Sequence, residues 1–483
     1  MRRWGWFGGM LNRTVHRSAL LLSVLIAVAG GLAIGAFTWW MLWLALGAKA
    51  ETPNQLDLTK IALSITAGVG AAVALVVAYR RQRDLERGRF AELFGAAASQ
   101  LGNSDVAVRI AGVYALAGVA DEFSVRGRRQ QCIDVLCGYL RLPYAPDEGA
   151  SHLVSKSQRI EDSGTAVERV YNYRQNDRQV RETIVRVIAE RLRRSADVSW
   201  SASDFDFSDA VFENADFRGA VFAGHSTRFT NASFTGGRDT TFEGASFLGR
   251  RVTFRGAMFR GGSTSFEHVN FKHNRVGRAD RKSSGTTFVD ATFGGPVNFD
   301  YAVFGGARTA FDRATFAGER GGFANAKFTA QLTSFERTVF DGDRVTFTGA
   351  EFTGARVVFT AARFYAETTA FDCANLGTAT RWGSGRTEEI TFARAEYHGK
   401  VSFADAVFGG RLITFNGGDF FGDINFRRAS FDAREICFER PKAWVGVHFD
   451  WQGSSAAKPA NIRPEQWPPI PADKSEKAEE LTS

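Results

Sequence analysis

The chain runs to 483 residues, 44% of them hydrophobic by type and 23% charged, with 43 Phe and 50 Gly against 9 Tyr and 10 Pro. Four cysteines in that length exclude a disulfide scaffold and fit a reducing compartment. The net charge of +8 is uneven: +4 over 1–79, +4 over 80–200, +1 over 201–440 and −1 over 441–483, which excludes a uniformly basic nucleic-acid binder.

The chain opens with a basic segment, 1–17. Residues 18–47 then carry no charge over thirty positions, long enough to span a bilayer with tilt. A signal peptide would have an apolar core half that long, and Trp39, Trp40 and Trp43 read as an interfacial belt. A second apolar run, Leu58 to Tyr79, is broken only by Lys60 near its edge. Two transmembrane helices are therefore expected within 18–79. Arg2, Arg3, Arg13 and Arg17 precede the first, and Arg80, Arg81, Arg83, Arg87 and Arg89 follow the second, so the positive-inside rule places both flanks in the cytoplasm. Gly31 and Gly35 in one run, and Ser64, Gly68 and Ala72 in the other, offer small faces for packing within the hairpin. Neither run holds an acidic residue, His or Pro, so the hairpin reads as an anchor and not a transport path.

Residues 80–200 read as a small α-helical adaptor. FAELFGAAASQLG, VAVRIAGVYALAGVADEF and QQCIDVLCGYLRLPY place apolar residues at i, i+3, i+4 and i+7. Gly102 closes the first, Asn103, Ser104 or Asp105 caps the second, and Pro143 and Pro146 end the third. DVAVRIAGVYALAGVA resembles one HEAT-type helical unit. Residues 147–164 read as a linker to the amphipathic helix VRETIVRVIAERLRR, and the whole segment is expected to cover the first coil of the repeat region. Cys132 and Cys137 have no zinc spacing around them and read as small core residues.

From 201 to 440 the Phe residues fall on a lattice that holds 37 of the 43. Phe299, Phe304, Phe311, Phe316, Phe323, Phe328, Phe335, Phe340, Phe347 and Phe352 are spaced alternately 5 and 7, and the beat continues through Phe371. Phe207, Phe212, Phe217 and Phe222 begin it with steps of 5. Three residues after the first Phe of each pair stands Ala, as at 215, 245, 302, 314, 326 and 350, giving F-x-x-A-x-F. No amphipathic helix keeps steps of 5 and 7, and the Gly and Thr content opposes one. A short extended segment and a turn make the repeating unit expected.

FENADFRGAVF, FEGASFLG, FRGAMFRGG and FDRATFAGERGG resemble the pentapeptide-repeat family, whose unit is A-(D/N)-(L/F)-x-x. Phe at 212, 217, 247, 259, 304 and 316 matches the central position, and Ala at 210, 215, 245, 257, 302 and 314 the small one. The resemblance covers about half the chain and implies a right-handed quadrilateral β-helix with its central side chains stacked inside. The steps of 7 depart from the family pattern and imply two extra residues at alternate corners. About nine coils are expected, and at ~4.8 Å per rung the rod is roughly 45 Å long. The full expectation is thus a mixed fold: a transmembrane helical hairpin, a small α-helical domain, then a β-helical solenoid.

Two insertions break the beat. The first, KHNRVGRADRKSSGTT, carries Lys272, Arg275, Arg278, Arg281 and Lys282, a possible basic contact loop for acidic lipid or nucleic acid beside the plainer reading of a solvated insertion. The second lies between Leu376 and Phe392. After residue 440, PKAWVGVHFDW reads as a cover for the last coil, and 453–483, rich in Pro, Lys and Glu, as disordered.

No catalytic constellation emerges: the seven His are scattered, and there is no phosphate-binding loop. No enzyme, cofactor, metal or small-molecule substrate is expected. The function expected is that of a membrane-anchored scaffold in the bacterial inner membrane, both termini and the repeats cytoplasmic, whose partners are the lipid bilayer and an unidentified protein. Two alternatives stand beside it. Some pentapeptide-repeat proteins imitate duplex DNA and regulate topoisomerases, but that needs a strongly acidic rod, and this one sums to +1. A membrane sensor or transport accessory is the other.

Overall fold

A computed structural model of the chain describes residues 54–123, 125–146, 155–162, 165–172, 176–273, 284–377, 387–451 and 457–472, with scattered helical positions between 30 and 44. It divides into two units, Met1–Glu92 and Leu93–Ser483. Most of what is described in the first is helix α1, Asn54–Leu101, 48 residues without a break. The helix runs through residue 79 without a break, and no Pro occurs between Pro53 and Pro143 to interrupt its hydrogen bonding. Its stretch from Leu63 is long and apolar enough to cross a membrane, by length and composition. It is the one such helix among the described residues, so they support a single apolar helix and not the expected hairpin. Most of the first expected span, 18–47, lies outside them.

In the second unit, α2 (Val106–Glu122), α3 (Arg126–Leu140) and α4 (Asp177–Leu192) form a small helical cap. Asp105 caps α2, its carboxylate accepting from the Ala107 N–H at 2.7 Å. Gly112 of α2 faces the end of α1 so closely that a Cβ there would lie 2.4 Å from the Leu101 nitrogen. The buried stripe of α2 runs Arg109, Gly112, Val113, Leu116, Ala117 and Ala120, the 3.6-residue spacing anticipated, but with an arginine in it. The expected linker is in part an antiparallel hairpin, β1 (Ser155–Asp162) and β2 (Thr165–Asn172). Its strands read as polar because almost every described side chain in them is exposed.

The rest of the unit is a parallel β-solenoid of about ten coils. Four sheets of 11, 10, 9 and 9 strands run along it, each strand pairing with the equivalent strand one coil earlier and one later. Taking one coil in order, Arg308–Ala310 lies in sheet I, Thr315–Phe316 in sheet II, Arg320–Gly322 in sheet III and Lys327–Phe328 in sheet IV. Phe304 registers with Phe328, and Phe316 with Phe340, so the regular coil has 24 residues. That is the 5+7+5+7 repeat, and the strands number about one coil more than the nine expected. Columns one to four are the ladder rings inside sheets I to IV.

The two step lengths are two kinds of corner. At the short ones, the residue two past the ring is in the left-handed region, as at Asp290 (φ 60°), Asn325 (φ 55°) and Gly349 (φ 65°). The next N–H then closes a turn, Ala314 N donating to Phe311 O at 2.9 Å. At the long corners the chain passes close over the coil beneath: a Cβ on Gly342 would sit 1.9 Å from Gly318 O, and one on Gly318 2.1 Å from Gly295 O. The Gly excess is largely this stacking of corners.

The C-terminal end differs from expectation. Ala443–Trp444 and Val447–His448 are strands of the last coil, and the cover comes from the segment whose composition reads as disordered. Ile462–Arg463 adds an eleventh strand to sheet I, and Trp467 lies across Phe438, Trp444 and Phe449 with ring centroids 5.3–5.9 Å away. A solenoid end exposes its ladder, and a large aromatic side chain is the cheapest single cover.

Candidate functional site

Every predicted ladder residue from Phe299 to Phe352 is at most 2% exposed. Within a column the rings lie nearly parallel, Phe304 to Phe328 at 4.9 Å and 4°, Phe328 to Phe352 at 4.6 Å and 3°. Between columns they meet edge to face, as Phe311 and Phe323 do at 5.8 Å and 89°. Both are favoured aromatic geometries. The column does not need Phe everywhere: Leu376 takes a slot in column four, and Tyr397 and Trp444 take slots in column two. Two residues before the ring, sheets II and IV mostly hold Ala, with Thr338, Gly418 and Val269 as exceptions, while sheets I and III mostly hold β-branched residues such as Thr309, Thr333, Val345 and Val357. Apart from the half-buried Trp444, these ladder side chains build the rod and are closed to solvent.

Of the possible basic loop, Lys272 is described and exposed, while Arg275, Arg278, Arg281 and Lys282 lie outside the described residues. Its base is firm. His273 is buried, its Nδ1 donating to Gly249 O at 2.6 Å and its Nε2 accepting from the Thr286 hydroxyl at 2.9 Å. Burial lowers its pKa from the ordinary 6.5, so the neutral ring is favoured. The sequence does not reveal that both insertions leave the same edge. Phe271 and Leu376 both belong to column four, linked in register through Phe304, Phe328 and Phe352, so the two lie four coils apart between sheets IV and I.

The cap joins the rod through charged and polar contacts that sequence spacing hides. Gln130 of α3 makes paired bonds with the Asp204 backbone at 2.7 and 2.9 Å. Tyr144 and Arg178 both hold Glu213 of the first coil, each at 2.5 Å. Asp121 accepts from Arg191 and from the indole of the buried Trp200. Inside the cap, Asp177 receives Arg109 at 2.7 Å, Arg181 at 2.7 Å and the Tyr139 hydroxyl at 2.5 Å, all four side chains buried. The one signal for this network in the sequence is the arginine within the apolar stripe of α2.

An open cleft of about 580 Å³ runs along α4 beside the first coil. Its walls include Glu182, Arg186, Glu190, Arg193, Glu213 and Asp216. Glu213 is committed to Arg178 and Tyr144, and hydrogen bonding to Arg218 lowers the pKa of Asp216 and keeps it ionised. Burial pushes the thiols of Cys132 and Cys137 up to about 11 and about 12, away from nucleophilic use at neutral pH. Among the described residues no group of three or more His, Cys, Asp or Glu is placed to hold a metal ion. Compared with known proteins, the chain matches no family model, no curated protein and no solved structure.

Proposed function

We propose that the protein is a membrane-anchored scaffold of the pentapeptide-repeat type, whose solenoid presents a rigid outer face to a protein partner in the cytoplasm. The observation that carries this reading is the pairing of an apolar helix, closed by Arg80, Arg81, Arg83, Arg87 and Arg89, with a β-solenoid whose aromatic content is almost wholly spent inside. The arginines favour the cytoplasmic side for the chain beyond residue 80. A rod of stacked coils binds along its surface because each coil repeats the same outward positions at a fixed rung spacing.

Regulation of a topoisomerase by duplex mimicry is disfavoured by charge, since the exposed arginines of the rod stand against its carboxylates, as Arg313 does bidentately on Asp290 and Arg428 on Asp405. The test is fractionation of host membranes with protease added from either side. Sedimentation with membranes at high salt and at alkaline pH, with the rod cut only from the cytoplasmic face, is expected. Release by salt, or cleavage from the outer face, overturns the proposal.

A further inference from the structure

One outward column of the rod changes character along its length. The position one past the column-two ring is polar or small from Glu213 to Asp341, and in the last four coils becomes Tyr365, His398, Phe421 and Val445. Phe421 is 63% exposed, Val445 55% and Tyr365 38%. A ring in this place contributes nothing to the ladder, which is complete without it, and leaving it in water has a cost. The rings touch each other along the edge: Tyr365 and His398 are 4.9 Å apart, His398 and Phe421 6.0 Å.

The neighbouring outward residues of sheet II give the strip a charge. Arg363, Glu396 and Asp419 succeed one another in register, two carboxylates against one guanidinium. Arg363 pairs with Glu396 at 3.5 Å, and the Tyr365 hydroxyl donates to Glu396. Asp419 has a buried carboxylate oxygen, Oδ1, with no hydrogen-bond partner, two residues from Phe421. Carboxylates in excess beside exposed apolar side chains are matched by a ligand that brings a cation and an apolar side chain together.

We infer that the strip Tyr365–His398–Phe421–Val445 is the docking site for one amphipathic α-helix of a partner protein, lying along the rod with Lys or Arg flanking its apolar stripe. The spacing fits a helix: coils ~4.8 Å apart lie near the ~5.4 Å helical pitch, so over this short length successive turns set one apolar side chain on each coil. Three rung intervals span about 15 Å, which is some three turns, and an interface of that size makes a weak, reversible contact. The inference rests on the scaffold reading and names the edge and partner chemistry that serve it.

The test uses the full chain in its native membrane, with benzoylphenylalanine placed singly at 398, 421, 317 or 301. Ala317 lies in the same column where it is small, and Tyr301 on another corner. Light-induced adducts are expected from 398 and 421 but not from 317, mapping by mass spectrometry to a segment with apolar residues three and four apart and basic neighbours. Phe421→Asp is expected to cut the yield from position 398 by at least about tenfold, as for a central interface residue, with an unchanged melting curve because the side chain is exposed. Adducts to an acidic or extended segment, to a second copy of this chain or to lipid alone overturn the inference, as does equal yield at 317. Protein adducts from 301 with none from 398 or 421 sink the strip and leave the scaffold standing. No protein adduct from any of the four positions sinks both.

Discussion

Phe323→Ala is the sharpest probe of the ladder. Phe323 is fully buried, stacked on Phe299 at 4.9 Å and on Phe347 at 4.8 Å, with edge contacts to Phe311, Phe316 and Phe335 at 5.5–6.1 Å. Backbone bonds such as Phe323 N to Thr346 O at 2.8 Å fix the rung on either side, so the neighbours cannot collapse into the space. Transfer and cavity costs together then amount to about 3–5 kcal/mol. Phe323→Leu is the control, because Leu376 already fills such a slot with no exposure, and a change that removes three carbons instead of six leaves a smaller cavity and costs only about 1–1.5 kcal/mol. Each repeat contacts only its neighbours, so the loss is local. Hydrogen exchange read by mass spectrometry on the full chain in detergent is the assay. Peptides spanning 299–347 are expected to exchange roughly 10²- to 10⁴-fold faster in the Ala variant, and about tenfold faster in the Leu variant. Peptides from 403–438 are expected to stay unchanged. Equal effects of Ala and Leu, or acceleration spread along the whole rod, would refute stacking as the source of local stability.

The buried Thr333 hydroxyl has no hydrogen-bond partner, and Val357 occupies the same place one coil on, so Thr333→Val is expected to raise stability by about 1 kcal/mol in a thermal melt. Loss of stability on that change would show that the hydroxyl is satisfied. His273 is neutral when folded and its pKa lies below 6.5, so its contribution is complete above about pH 6.5 and declines as pH falls toward the lowered folded value. A melting temperature that drops between pH 7 and 5.5 more in the native chain than in His273→Gln checks it. Asp177→Ala leaves the buried Arg109 and Arg181 without their shared counter-charge and is expected to cost about 3–5 kcal/mol, seen as faster exchange across α2 and α4. Gly342→Ala drives a Cβ against the Gly318 carbonyl and is expected to open that corner, speeding exchange around 318–346 while leaving the cap untouched.

The lattice is legible because one requirement, an apolar ring facing inward once per side, recurs at a fixed step and is answered by one residue type. The slots at Leu376 and Tyr397 are harder to see, since the requirement there is volume and not identity. Thr and Val in sheets I and III escape the F-x-x-A-x-F pattern because the long sides leave room that the Ala sides do not. The hairpin Ser155–Asp162 and Thr165–Asn172 reads as linker because its strands face water on both sides and carry no alternation.

The sequence by itself determined the repeat, its 24-residue coil and its alternating corners, because periodic burial writes a periodic pattern. It also determined the apolar run of α1 and the arginines after it, which need only composition and order. Tertiary structure alone decided what depends on counting coils. Only then do Phe271 and Leu376 share a column, which puts both insertions on one edge, and only then do Tyr365, His398 and Phe421, 33 and 23 residues apart, become neighbours within 6.0 Å. The same holds for Arg109 and Asp177, 68 residues apart and bonded in the core of the cap. A side chain's inward position is set by its own step in the chain; its outward neighbours are set by the length of the coil between them.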